Sequence, residues 1–406
     1  MYALDPGPLA GAWLVTDPRA DRVEVDLIIL SGEADNPGTE GLAHYVEHLA
    51  WLNATDPTRG DFAVHSNAST TSIDTAYWLE GPTGELDEMV ATLAGVLEPF
   101  SLDEPFMIEE RDIVLHEYTY SMSEDPYAPI MDDFARREHA NGPLARSVIG
   151  TPEDIAAFSL AEARALHSAT HRRDNSVLLI YGNVDAEDAN LALASAFGTG
   201  TGGGMLKTPS YAMPPEGRDE RILEDTGLPL PALIYSKIVT LDHPHDIATL
   251  YFETWLLAAA LDSRLPGGVV RALQYNSFIA QNYQLDVSLL DDRHVRLSFS
   301  ATPDAGVPLE TLLEVFEDAV AQSAASGIPD ETLARVRQRI VDTLRRDPDP
   351  ALVVFDSAFE AIGLGLAPWD FDSYPEAVER VDLAQVNALL ASLASSGRTT
   401  ITLAYP

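Results

Sequence analysis

His44, Glu47 and His48 stand in the stretch GLAHYVEHLAWL, residues 41 to 52, as H-x-x-E-H. On an α-helix, positions i and i+4 lie on one face a turn apart, so both imidazoles can reach a single ion. Glu47, three residues after His44, leans over the same face. It is placed to hold a water against that ion and to take its proton, as metal-assisted hydrolysis requires. The same spacing also suits a helix whose histidines merely pack or hydrogen-bond. The motif therefore needs the rest of a site around it.

A hydrolytic zinc site takes a third protein ligand and keeps a position open for water. The chain has no cysteine, so its ligands must be His, Asp or Glu. Downstream lies IEERDIVLHEYTYSMSEDP, in which Glu110 and Glu117 are seven residues apart. Seven residues are two helical turns, so the pair shares a face. That face can present Glu117 to a metal and leave Glu110 as a supporting group; the same spacing also suits acidic residues on a solvated helix. The run Arg-Asp-Ile-Val-Leu between them fits a partly buried helix.

The surrounding elements must hold these residues. DRVEVDLIIL (21–30) alternates apolar positions and reads as a strand, as does DTAYWLE (74–80). GLAHYVEHLAWL and DEMVATLAGVLEPF (87–100) read as helices. Strands do not alternate one-for-one with helices, which favours α+β layers over a doubly wound parallel sheet. GTGTGGGMLKTPSYAMPPEGRDE (198–220) reads as an inter-domain linker. The expected organisation is a metal-binding α+β domain at 1–200, a Gly/Pro linker at 201–220 and a homologous metal-free domain at 221–406. SLAEARAL (159–166) and DLAQVNAL (382–389) share Leu-Ala-x-x-x-Ala-Leu behind a capping Ser or Asp, and a strand candidate follows each. The fold expected is one unit duplicated and joined. In the second half, LYFETWLLAAAL (250–261) has no histidine, so one metal site is expected, in the first half.

Composition sets outer bounds. The 406 residues include 64 acidic against 25 basic, a formal charge of -39. Such a chain repels phosphate backbones and anionic lipid, which argues against nucleic-acid and membrane partners. No apolar run approaches the eighteen or so residues of a membrane span. MYALDPGPLAGAW has neither a basic n-region nor a long apolar h-region. The expected compartment is the bacterial cytoplasm, or the periplasm if a leader has been removed.

Taken together, these blocks resemble the pitrilysin/insulinase-type zinc peptidases, whose half-size relatives include the mitochondrial processing peptidase and whose motif is H-x-x-E-H rather than H-E-x-x-H. SGEADNPGTEGLAHYVEHLAW resembles the lead into that family's zinc helix, SNASTTSIDTAYWLE the strand after it, and EERDIVLHE the segment with the third ligand. GPLARSVIGTPEDI and HRRDNSVLLIYGNVDAED resemble two further blocks. The resemblance implies one Zn2+ per chain held by His44, His48 and Glu117, with Glu47 as general base and Glu110 in support. It implies that Asn67 and Ala68 lie on a strand edge that receives the substrate backbone. It also implies two similar domains that close as a clamshell.

The second half departs from the family pattern. Active relatives carry an Arg and, seven positions on, a Tyr that stabilise the tetrahedral intermediate. Here RLPGGVVRALQYNSFIAQNY offers Arg271, but seven positions on is Phe278; Tyr275 and Tyr283 are off-register. Either one of those tyrosines substitutes or a second subunit supplies the Arg/Tyr pair. The interval from His48 to Glu117 is also short for the family. The expected activity is zinc-dependent endopeptidase action on unstructured or leader peptides, as a homodimer or as a heterodimer with a related zinc-free subunit. The alternative is a non-catalytic structural or assembly subunit of the same fold.

Overall fold

The computed structural model describes residues 1–55, 65–200, 202, 206, 210–369 and 373–406. The described residues form two compact units that interleave along the chain. Unit 1 comprises Met1–Asp125, Pro143–Lys207 and Asp349–Phe371; unit 2 comprises Pro126–Gly142, Thr208–Pro348 and Asp372–Pro406. Of the linker expected at 201–220, residues 201, 203–205 and 207–209 lie outside the described residues.

Unit 1 opens with β1 (Tyr2–Ala3), β2 (Gly11–Thr16) and β3 (Val23–Ile29). Helix α1 (Leu42–Ala54) follows, then β4 (His65–Thr70), β5 (Thr75–Gly81), α2 (Leu86–Gly95) and α3 (Glu104–Glu124). Next in the chain is α4 (Ala128–Glu138), which belongs to unit 2. Unit 1 resumes with α5 (Pro152–Ala157), α6 (Leu160–Thr170), β6 (Ser176–Gly182) and α7 (Ala186–Phe197). Its sheet has the order β1-β2-β6-β3-β5-β4. Strands β2 and β6 are parallel; β3 runs antiparallel to β6 and β5, and β5 to β4.

One face of this sheet packs Val23, Val25, Leu27, Leu178 and Ile180 against Met89 and Leu93 of α2 and Leu193 and Phe197 of α7. The opposite face packs Val15, Ile28, Val177 and Leu179 against a helix from late in the chain, α11, whose range is given below. Both faces being covered explains why β6, Ser-Val-Leu-Leu-Ile-Tyr-Gly, is almost continuously apolar. Helix α2 ends at Gly95, short of the predicted 100. A Cβ at Gly95 would stand 3.2 Å from that of Ala54, so close packing on α1 selects glycine, a weak helix former, at the point where the helix stops.

Unit 2 contains β7 (Gly217–Leu223), β8 (Ala232–Thr240), α8 (Ile247–Leu261), β9 (Ala280–Leu289) and β10 (His294–Pro303). Helices α9 (Leu309–Ser326) and α10 (Asp330–Arg345) follow; α11 (Pro350–Gly363) belongs to unit 1, and α12 (Ser373–Arg380), α13 (Leu383–Leu393) and β11 (Arg398–Ala404) complete unit 2. Its sheet order is β7-β11-β8-β10-β9, with β7 and β11 parallel. Numbered within each unit, β2–β6 and β7–β11 therefore share the spatial order first, fifth, second, fourth, third. The fold is α+β, two sheet-plus-helix units of one connectivity. Helices α4 and α11 are counterparts in this scheme, and each serves the sheet formed by the other half of the chain: Ile130 and Phe134 of α4 pack on Ala232, Ile234 and Ala404. No described helix is long and apolar enough to cross a membrane.

Asp26 is an exception on the α11 face of β3, between Glu24 and Ile28. It is buried, and its Oδ1 has no hydrogen-bond partner. Burial, then the neighbouring Glu24, pushes its carboxyl well above the ordinary range. The folded protein thus holds this proton to higher pH than the unfolded chain, which ionises near pH 4, so this residue subtracts stability as pH rises above that value. Asp26→Asn is expected to stabilise the protein at pH 7.5 by about 1–2 kcal/mol, with the gain shrinking as pH falls toward 4. Urea unfolding across that range checks it, and an equal effect at both ends would overturn the assignment.

Candidate metal centre

The register of α1 determines where its histidines point, and that register is fixed from its first residue. Gly41, the residue before the helix, has a left-handed backbone (φ +82°). A Cβ there would stand 2.5 Å from the Ile149 carbonyl oxygen, so only glycine permits this approach. Glu33, fully buried, accepts from the Ala43 N–H at 3.2 Å, from Asn36 at 2.9 Å and from the Arg146 Nε at 3.1 Å. Arg146 also donates to the Gly38 carbonyl at 2.7 Å. Burial pushes the Glu33 carboxyl up to about 7, against the pull of Asn36, the Ala43 N–H and Arg146. Further along, the Tyr45 hydroxyl donates to the Met107 carbonyl of α3, and its ring stacks on Phe158 at 5.2 Å. Leu42, Val46 and Leu49 share a core with Val114, Ile155 and Leu166.

This framework brings five of the predicted site residues together in unit 1. His44 Nε2 and His48 Nε2 lie 3.2 Å apart. The Glu117 Oε2 lies 3.3 Å from His48 Nε2 and 3.6 Å from His44 Nε2. Donors about 2.0–2.1 Å from a tetrahedral zinc stand roughly 3.3 Å from one another, so the three side chains have the spacing of one coordination sphere. Glu110 Oε1 lies 2.8 Å from His48 Nδ1, where a carboxylate fixes the tautomer and aim of a ligating imidazole. Glu47 also has an oxygen within 4.8 Å of the histidine donors. It is buried, and the Thr70 hydroxyl donates to it at 2.7 Å.

Charge follows from this packing. Burial pushes the Glu47 carboxyl up to about 7, with Thr70 and His48 pulling the other way. Burial opposes a charge on His48 too, but Glu110 and Glu117 outweigh it and hold that imidazole well above its usual range. Burial and the nearby His48 depress His44. Hydrogen bonding to His48 keeps Glu117 below the ordinary carboxylate range despite partial burial.

Asn67 and Ala68 lie on β4, the outer strand of the sheet, paired on one side with Trp78 and Tyr77. Thr70, the last residue of that strand, is the one that holds Glu47. Arg271 lies in unit 2, on the single π-helical turn Arg271–Asn276, with its guanidinium 5.7 Å from the Tyr275 ring centre. Burial, then Asp262, pushes the Tyr283 hydroxyl up to about 12. Phe278 is 68% exposed with a left-handed backbone, φ +52°, a costly conformation for a bulky side chain. In α8, the counterpart of α1, Tyr251-Phe252-Glu253 stands where α1 has Tyr45-Val46-Glu47. Leu250 and Thr254 then occupy the places of the two histidines.

Sequence reasoning did not assign Glu33, Arg146 or Thr70. Glu33 and Arg146 sit inside the blocks SGEADNPGTEGLAHYVEHLAW and GPLARSVIGTPEDI, so the signal was present without a role. Their pairing spans 113 residues and exists only in the folded chain.

A family model described as Insulinase (Peptidase family M16) matches residues 12–152, and a second, Peptidase M16 inactive domain, matches residues 157–340. A Helicobacter pylori protein named zinc protease PqqE is 25% identical over 188 residues, 44% of this chain and 42% of that protein. The mitochondrial-processing peptidase subunit beta of Saccharomyces cerevisiae is 22% identical over 282 residues, 66% of this chain and 61% of that subunit. The matched stretches thus span less than two thirds of these relatives. In fold, a crystal structure of a Helicobacter pylori protease superposes with a TM-score of 0.76 at 18% identity, covering 100% of this chain and 98% of that one. Pitrilysin gives 0.75 at 18% identity, with 99% of this chain on 44% of pitrilysin.

Truncating the buried lock behind α1 tests its structural weight. Glu33→Ala leaves the Ala43 N–H and Arg146 without their acceptor and is expected to destabilise the chain by about 3 kcal/mol. Thermal or urea unfolding measures the loss; a change below about 0.5 kcal/mol, the size of an ordinary surface substitution, would show that the lock does not hold the helix.

Proposed function

Because the chain belongs to the M16 insulinase family of peptidases, we propose that it is a zinc-dependent endopeptidase of unstructured or leader peptides. The observation that carries this reading is the donor triangle of His44, His48 and Glu117 with the buried Glu47 beside it. Those three side chains would hold one zinc ion, and Glu110 would aim His48. When bound, zinc polarises a carbonyl and lowers the pKa of water to about 7.

The remaining steps belong to the chain itself. Glu47 takes a proton from the attacking water and returns it to the leaving amine. Burial stabilises the neutral carboxyl between those two transfers, and Thr70 holds it in place. A flexible peptide adds to the open edge of β4 beside Asn67 and Ala68, which fixes its direction and register by backbone hydrogen bonds. Arg271, with Tyr275 against it, is the chain's own candidate for a hydrogen-bonding contact to the substrate. Phe278 supplies no hydroxyl at the seventh position. We read this as the mark of a chain that works in a dimer, with a second copy or with a related zinc-free subunit that carries the Arg/Tyr pair. Phe278 is also the one observation that favours the alternative, a non-catalytic assembly subunit.

Glu47→Gln separates the two readings. It is expected to leave zinc binding unchanged while lowering turnover of a flexible peptide by at least about a hundredfold. Chelation should abolish wild-type turnover, and added zinc should restore it. Peptide cleavage that survives Glu47→Gln would sink the assigned mechanism, and a wild-type chain that binds zinc yet cleaves nothing, with or without a partner, would favour the assembly subunit.

A further inference from the structure

Helix α6 closes on two histidines one turn apart, His167 in its last turn and His171 at its C-terminal cap. Both are buried, and their rings stack at 4.6 Å between centres, tilted by 19°. The Thr170 hydroxyl donates to the Leu166 carbonyl at 2.8 Å. Its oxygen is left to accept from the His171 Nδ1–H at 3.0 Å. That fixes the tautomer: His171 Nε2 carries no hydrogen and accepts from the Tyr77 hydroxyl at 2.7 Å. A carbonyl only accepts, so the His167 Nε2–H donates to the Val96 carbonyl at 2.8 Å. The two bonds of His171 are complete only while its ring is neutral.

The elements packed around the pair bring it no counter-ion. Strand β5 contributes Tyr77, and α1 contributes the Trp51 ring, stacked on Tyr77 at 6.1 Å. The segment after α2 contributes the Val96 carbonyl and the Phe100 ring, 4.4 Å from that of His167. Glu98 of that segment is exposed and already bonded to Arg173 at 3.2 Å. Arg172, next in the chain after His171, is exposed and bonded to Asp174 at 2.9 Å. Among the described residues, no carboxylate pairs with either ring. Glu47 acts on Tyr77 and on neither imidazole. Burial, then His167, holds His171 well below the usual imidazole range. Burial lowers His167 too, against the pull of the Val96 carbonyl and Glu98.

Unfolded imidazoles take up a proton near pH 6.5. In the folded chain both rings hold off to lower pH. The unfolded chain therefore binds more protons below about pH 6.5, and stability falls as pH drops through that value. Helix α6 is also part of the wall behind α1, since its Ala163 and Leu166 share a core with Leu42, Val46 and Leu49. We propose that His167 and His171 form an acid-sensitive latch: neutral, they hold α6 to β5 and to the end of α2, and protonated, they release it and loosen the backing of α1. The latch does not depend on the peptidase reading.

Hydrogen exchange of the full chain, read by mass spectrometry at about pH 7.5 and about pH 5.5 and corrected for the intrinsic rate, tests it. Peptides from α6 and β5 are expected to lose protection at the lower pH by about tenfold per proton taken up, while those from α8 and α13 in unit 2 keep theirs. In His167→Gln/His171→Gln the amides can keep the bonds to Val96 and Tyr77 and do not titrate, so the acid loss should disappear. NMR titration of the wild-type imidazoles serves even where that variant fails to fold: both rings should remain neutral in the folded chain at about pH 6. Protection of α6 that is the same at both pH values would overturn the latch. So would an acid loss that persists in the double variant, or a buried ring that titrates near pH 6.5 with α6 still protected.

Discussion

Everything at this site depends on α1 being unable to turn. A slip of one residue swings a helix face by about 100°, which would carry both imidazoles away from Glu117 and Glu110. The helix is pinned at its start by the Gly41 approach to Ile149 and by the Glu33 contact with the Ala43 N–H. It is pinned in its second turn by the Tyr45 bond to Met107. Because Met107, Glu110 and Glu117 all lie on α3, that bond sets the register of both helices with respect to each other. The donor triangle is a consequence of this coupling, and the side-chain rotamers only finish it.

The second constraint is charge. Glu47, Glu110 and Glu117 crowd two imidazoles in a largely buried space, and unpaired buried charge is expensive. With neutral histidines the cluster is short of positive charge, which is why His48 is held in its protonated form by the carboxylates on either side of it. A dication would supply the same compensation and leave both imidazoles free as ligands, since metal binding displaces protons from its donors. Glu47 reaches the same end by a different route. Its carboxyl drifts toward neutrality because burial outweighs the Thr70 hydrogen bond. An acid that can lose and regain a proton near neutral pH is a consequence of where it is buried.

The parts of this arrangement that obey helical period were legible in the sequence. H-x-x-E-H and the seven-residue interval from Glu110 to Glu117 each announce a face, and the strands DRVEVDLIIL and DTAYWLE announce themselves by alternation. Duplication was legible from the paired Leu-Ala-x-x-x-Ala-Leu helices, and the shared strand order shows its extent. What could not be read depends on the folded chain bringing distant residues together. Glu33 meets Arg146, and Thr70 meets Glu47, without any local pattern that marks them as partners. The exchange of α4 and α11 between the two sheets is equally silent, because an amphipathic helix encodes that it will be covered and not by which sheet.

The duplicated unit shows how little has to change for the chemistry to vanish. Helix α8 keeps the Tyr-x-Glu of α1 but has Leu250 and Thr254 in place of its histidines. Glu253 is still buried, and burial together with Asp382 and Asp246 pushes its carboxyl up to about 7. No imidazole stands beside it in the place of His44 or His48. The carboxyl shifts toward its neutral form, as that of Glu47 does, because burial disfavours the charge. The same backbone therefore carries a buried carboxyl pushed up to about 7 in both units, with imidazoles beside it in only one. The difference lies in two side chains on one helical face.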